Sequence, residues 1–79
     1  MRMDKYLKVS RIVKRRTVAN EMCDAGRVSV GEKPVRASYD VKIGDVITVS
    51  FGNRTVKLRV LSVSETVKKE DAAALYELC

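Results

Sequence analysis

Apolar residues recur with a helical period over the first 25 positions. Met3, Tyr6 and Leu7 fall at i, i+3 and i+4 and predict a short helix over residues 3–9. Arg2, Lys5 and Lys8 follow steps of three and share another face, within about 120° of arc. A second helix is predicted near 16–25. Its apolar stripe is Val18, Ala19, Met22 and Cys23, and Arg16, Asn20 and Asp24 form a polar one. Gly26 stands where a left-handed C-terminal cap belongs. The segment Ser10–Arg15 between the helices reads as a tight turn or a helical extension.

After Gly26 the period drops to two. Val28 and Val30 alternate with Ser29, and Val46–Phe51 and Thr55–Val60 both read as strands. Gly52-Asn53 suits a two-residue hairpin loop between them. If Phe51 faces Arg54, then Val49 faces Val56 and Ile47 faces Leu58. Both apolar sets then share one sheet face, with Lys57 and Arg59 turned to solvent. Gly31-Glu32, followed by Pro34, marks an earlier turn, and Gly44-Asp45 marks the turn into residue 46. Residues 65–79 read as a short terminal helix, with Glu70 and Asp71 at its start and Ala72-Ala73-Ala74-Leu75 of high helix propensity. That helix has two uses, packing back on the sheet or offering Leu75 and Leu78 to a partner. Helices followed by strands give an α+β fold class. The predicted core includes Leu7, Val18, Met22, Val28, Ile47, Val49 and Leu58. Tyr6 at its spacing reads as core before base-stacking platform.

At 79 residues the chain is one small domain, and 46% hydrophobic with 33% charged residues is globular composition, not that of a disordered chain. Charge changes the picture more. The net charge is +6, and it is uneven. Residues 1–27 carry eight basic side chains against Asp4, Glu21 and Asp24, whereas residues 65–79 carry two against four acids. A basic N-terminal third invites a polyanionic partner. No apolar run approaches the roughly 20 residues of a membrane helix, and the basic residues do not lie on one long amphipathic helix, so a membrane partner is not expected.

Catalytic constellations are missing. The chain has no His, and Cys23 and Cys79 are its only cysteines. A zinc site lacks ligands, a disulfide framework is not expected, and Cys23 reads as a small buried hydrophobe. Neither a nucleophile elbow nor a glycine-rich phosphate loop is present. The chain is therefore expected to be no enzyme and to hold no cofactor. The positive signal is Lys14-Arg15-Arg16 at a helix start, where backbone N–H groups and side chains together suit a phosphate. Taken alone, such a run equally fits a solvated basic face.

Four ordered motifs add to this reading. Arg2-Met3-Asp4-Lys5-Tyr6-Leu7, Lys14-Arg15-Arg16-Thr17-Val18-Ala19, Ala25-Gly26-Arg27-Val28-Ser29-Val30 and Val41-Lys42-Ile43-Gly44-Asp45-Val46-Ile47 resemble the RNA-binding domain first named in small-subunit ribosomal protein S-four. The match spans residues 2 to about 61. It implies two short N-terminal helices packed on a small bent antiparallel sheet, the alpha-L RNA-binding motif, over residues 1–64, with 65–79 as an acidic C-terminal tail. Two departures stand out. Gly31-Glu32 replaces the family's Asn-Gly, favouring a type II′ over a type I′ turn. Arg15 replaces a Ser or Thr cap, exchanging about 1 kcal/mol of capping for positive charge.

As a short stand-alone copy, most closely over Lys8–Ala19, the chain resembles the bacterial ribosome-associated quality control factors and the related heat-shock ribosome-binding proteins. That resemblance implies a cytoplasmic, monomeric binder of large-subunit rRNA and peptidyl-tRNA on stalled large ribosomal subunits. It would support template-free tailing of the nascent chain, alongside a tailing factor. The expected RNA contacts are Arg2, Lys5, Lys8, Arg11, Lys14, Arg15, Arg16, Asn20 and Arg27. Asp4 is expected to orient a neighbouring Arg or cap the first helix. The alternatives are a heat-shock-type recycling role and the RNA-recognition part of an RNA-modifying enzyme.

Overall fold

The computed structural model describes residues 1–63 and 75–79. Two helices come first, α1 at Met3–Val9 and α2 at Arg16–Asp24. Five strands follow: β1 at Val28–Val30, β2 at Lys33–Pro34, β3 at Val46–Phe51, β4 at Arg54–Val60 and β5 at Tyr76–Leu78. All pairings are antiparallel, in the order β2-β1-β3-β4-β5.

A seven-residue helix is marginal by itself. α1 is held by burial of Met3, Tyr6 and Leu7, all 0% exposed, each contributing roughly 1.5–3 kcal/mol. Its first N–H groups find partners in the loop before β3. Met3 donates to the Tyr39 carbonyl at 2.9 Å and Asp4 to that of Ala37 at 3.2 Å. The Asp45 carboxylate fixes this loop by accepting from the Tyr39 hydroxyl at 2.9 Å and the Lys42 N–H at 3.0 Å. The Gly44-Asp45 pair therefore does more than turn the chain, because it also holds the loop that caps α1. That bond to Asp45, with burial, raises the Tyr39 hydroxyl above its ordinary pKa.

α2 ends in a Schellman cap. Arg27 N–H donates to Met22, Gly26 N–H donates to Cys23, and Gly26 has φ +74°. The predicted hairpin register is found, with Ile47 opposite Leu58, Val49 opposite Val56 and Phe51 opposite Arg54. Val28 opposite Val49 and Val30 opposite Ile47 extend both apolar rows onto β1. Gly31 has φ +62° while Glu32 lies outside the left-handed region, the φ pattern of a type II′ turn. Pro34 sits on the edge strand β2, where its missing N–H costs no ladder bond.

Two expectations are corrected. Val18 is 41% exposed. α2 buries Ala19, Met22 and Cys23 against α1 and β1, and Val18, 100° round the helix from Ala19, stands at the edge of that contact. The terminal helix expected over 65–79 falls largely on residues 64–74, outside the described set. Where the chain is described again, Tyr76–Leu78 form a strand on β4, with Val60 opposite Tyr76 and Leu58 opposite Leu78. The open edge of β4 offers ladder bonds that helix propensity does not register. Leu75 is buried, and its carbonyl accepts the Tyr6 hydroxyl at 2.7 Å.

Candidate nucleic-acid interface

The first turns of α1 and α2 meet at Asp4. This carboxylate is 4% exposed and surrounded by donors. Oδ1 accepts Arg2 Nε at 3.3 Å and the Lys5 N–H at 2.8 Å, and Oδ2 accepts Asn20 Nδ2 at 3.3 Å. Arg16 Nε lies 3.3 Å from Oδ2. Burial pushes the Asp4 pKa up, but the hydrogen bonds from Arg16, Asn20 and the Lys5 N–H, with the Arg16 charge, outweigh it and hold the carboxyl below its ordinary value. Asp4 thus stays ionised and orients neighbours, as expected of it.

The geometry follows from helical spacing. Arg16 and Asn20 are i and i+4 on α2, so both reach the same carboxylate on α1. Arg2 approaches from the residue preceding α1. Each guanidinium directs Nε to Asp4 while keeping about half its side chain in solvent, 52% for Arg2 and 48% for Arg16. Two oriented cations around one anion leave a positive excess. A shallow depression lies beside them, lined by Asp4, Arg16, Thr17, Asn20 and Glu21.

The other expected residues take different places. Lys8 is exposed one turn beyond Asp4 on α1, and Lys5 is half-buried beside it. Arg11, Lys14 and Arg15 are exposed along the α1–α2 turn. Arg11 has φ +63°, a left-handed conformation that ordinarily selects Gly or Asn. Arg27 lies past the far end of α2, a helix about 13 Å long, in a hollow with Val18, Glu21, Met22 and Ala25. It is not part of the Asp4-centred cluster.

Arg15 caps α2 without a side-chain hydrogen bond, and the first turn of α2 holds no acid. No acid of α2 itself therefore compensates the positive end of that helix dipole. Sequence reasoning missed the apolar groove beside it, because Val18 was assigned to the core and Phe51 lies 33 positions away. Val13, Val18, Met22 and Phe51 contribute its apolar wall and Lys14 and Arg15 its charges.

Among the described residues no group of His, Cys, Asp and Glu is arranged to hold a metal ion. Burial, with the charges of Asp4 and Asp24, pushes the Cys23 thiol up to about 11, which keeps it protonated at neutral pH. No helix among the described residues is long and apolar enough to cross a membrane.

Comparison with known proteins agrees with this architecture. The S4 domain model matches residues 1–47, more than half of the chain. The chain is 50% identical over 78 residues to the RQC P-site tRNA stabilizing factor of Streptococcus pneumoniae, covering 99% of this chain and 89% of that one. The Bacillus subtilis protein of the same name is also 50% identical over 78 residues, covering 99% and 91%. The trimeric structure of Vibrio cholerae Heat Shock Protein 15 superposes with a TM-score of 0.92 at 28% identity, covering 100% of this chain and 81% of that chain. Two helices meeting at Asp4 over a five-stranded antiparallel sheet, matched in sequence along nearly the whole length, place the chain in the S4-domain family, together with the RQC P-site tRNA stabilizing factors.

Proposed function

We propose that this protein is a non-catalytic, cytoplasmic RNA-binding factor of the large ribosomal subunit that acts in ribosome-associated quality control. In this reading it holds large-subunit rRNA and peptidyl-tRNA on obstructed subunits while the stalled nascent chain is extended without a template, beside a separate tailing factor. The observation that carries it is the Asp4-centred set of Arg2, Arg16 and Asn20 in a chain half identical to proteins named for stabilising P-site tRNA. Arg2 and Arg16, pre-oriented by Asp4, supply charge-assisted bonds to phosphate or base edges. Lys5, Lys8, Arg11, Lys14 and Arg15 extend the positive surface, and Arg27 provides a separate contact beyond α2. Recognition resides in residues 1–64, with the terminal strand supporting the sheet.

Co-sedimentation tests this reading, using large subunits with and without bound peptidyl-tRNA. Wild-type protein is expected to bind both and to prefer the loaded subunit. Arg16→Ala is expected to weaken binding by roughly 1.5–3 kcal/mol, about 10- to 150-fold. Equal binding of Arg16→Ala and wild type would overturn the site assignment. The second reading, heat-shock-type recycling, is favoured by the match to Heat Shock Protein 15. It predicts the same binding to obstructed subunits but no role in template-free extension of the nascent chain. A monomer is proposed, and because that neighbour is described as trimeric, light scattering at micromolar concentration is the check.

A further inference from the structure

Val13, Val18, Met22 and Phe51 line a groove of about 490 Å³ between α2 and the tip of the β3–β4 hairpin. Its volume falls in the range of small-ligand sites, roughly 300–1,000 Å³. Lys14 and Arg15 are the charged residues among those described that line it, and both are basic. Val18 is a large hydrophobe left 41% exposed, and Phe51 is half-buried with the Arg54 guanidinium 5.9 Å from its ring centroid. Val18 lies 200° around α2 from both Arg16 and Asn20, so this groove faces away from the Asp4-centred cluster.

An apolar wall beneath two cations selects a ligand with an apolar face and a negative charge. A nucleotide has both by construction, because each base offers a π-face and each linkage a phosphate. An aliphatic side chain from a protein would fill the wall but leave Lys14 and Arg15 crowded without anions. We propose that the groove receives one unpaired nucleobase of the bound RNA, with its face against Val18 and Phe51 and its phosphate at Lys14 and Arg15. This assignment rests on the RNA-binding reading and adds a further contact, on the opposite side of α2 from the Asp4-centred cluster.

Two labelled probes test it by fluorescence anisotropy at one salt concentration. One is an eight-nucleotide oligoadenylate, and the other is an abasic ribose-phosphate oligomer of the same length. Wild-type protein is expected to bind the adenylate about tenfold more tightly, within the range of stacking one base. Val18→Ser alters an exposed position and is expected to abolish that preference while leaving abasic affinity unchanged. Phe51→Ala is expected to do the same, with thermal melting as its folding control. Adenosine 5′-monophosphate at millimolar concentration is expected to shift the NMR methyl signals of Val13 and Val18. Equal binding of the two oligomers by wild type would overturn the base site and leave RNA binding standing. So would a preference that survives Val18→Ser, or methyl shifts with an acidic leucine-containing peptide but not with the nucleotide. Binding of neither oligomer nor ribosomal subunits would remove the RNA-binding reading, and the base site with it.

Discussion

Asp4 ties stability to the proposed RNA site through one carboxylate. Its pKa is lowered in the folded protein, so the ionised form is the one folding favours. The stability it contributes is present above the ordinary carboxylate value and is lost as pH falls through its lowered folded value. Asp4→Asn is expected to cost about 1–3 kcal/mol at pH 7, from the lost charge-assisted bonds. In urea titrations across pH 3–7 the gap between variant and wild type should narrow at the acid end. A gap constant with pH would show that Asp4 acts by shape and not by charge. Arg11 presents the opposite trade. Its left-handed φ of +63° costs roughly 1–2 kcal/mol for a non-glycine residue, against about 0.4–1 kcal/mol of unfolded-chain entropy that glycine would add. Arg11→Gly is thus expected to raise stability by up to about 1.6 kcal/mol while weakening RNA binding, read by melting and by filter binding on the same preparations. Arg16 also belongs here. Its position on the polar face of α2 was legible, but the ion pair to Asp4 was not, because the partner lies 12 positions away on another helix. Arg16→Ala therefore removes a bond from a buried carboxylate as well as the proposed RNA contact.

At the scale of elements, the terminal strand and α1 depend on each other. The Tyr6 hydroxyl donates to the Leu75 carbonyl at 2.7 Å. That carbonyl also accepts Leu61 N–H at 2.8 Å and Ser62 N–H at 3.1 Å, so it keeps partners when the hydroxyl is removed. Tyr6→Phe is expected to cost only about 0.5–1.5 kcal/mol in chemical denaturation, with RNA affinity unchanged. A larger loss would mean that the hydroxyl alone fastens β5. Truncation after Ser64 removes Leu75 from the core and β5 from the sheet edge as well as the acidic residues. Helix periodicity located α1 and α2 within about a residue, and alternation located β3 and β4 with their register. The terminal strand was not legible, because Ala-rich propensity is local whereas the unpaired edge of β4 lies some 18 positions earlier.

For the whole molecule, the net charge of +6 sets long-range attraction and the uneven distribution sets orientation. If about five basic side chains contact phosphates, log K should fall against log salt with a slope near −4. Filter binding to ribosomal RNA across low to moderate salt measures it. Arg16→Ala should reduce the magnitude of that slope by about one, whereas Val18→Ser should leave it unchanged. A flat salt response would mean that the basic surface does not meet the RNA backbone.

The sequence by itself determined the two helices, the hairpin register, the turns at Gly26, Gly31, Gly44 and Gly52, and the concentration of positive charge in the first third of the chain. These depend on period, on glycine's access to positive φ and on simple counting, all of which act over a few residues. Tertiary structure decided the rest. It gathered Arg2, Arg16 and Asn20 on Asp4, set Arg27 apart, and turned Val18 from the core into the wall of a groove with Phe51. It also drew Tyr76–Leu78 into the sheet. The physical reason is common to the cluster, the groove and the strand. A buried carboxylate, an apolar wall and an open strand edge are each completed by groups distant in sequence, and only packing brings those groups within the few ångströms over which hydrogen bonds and dispersion act.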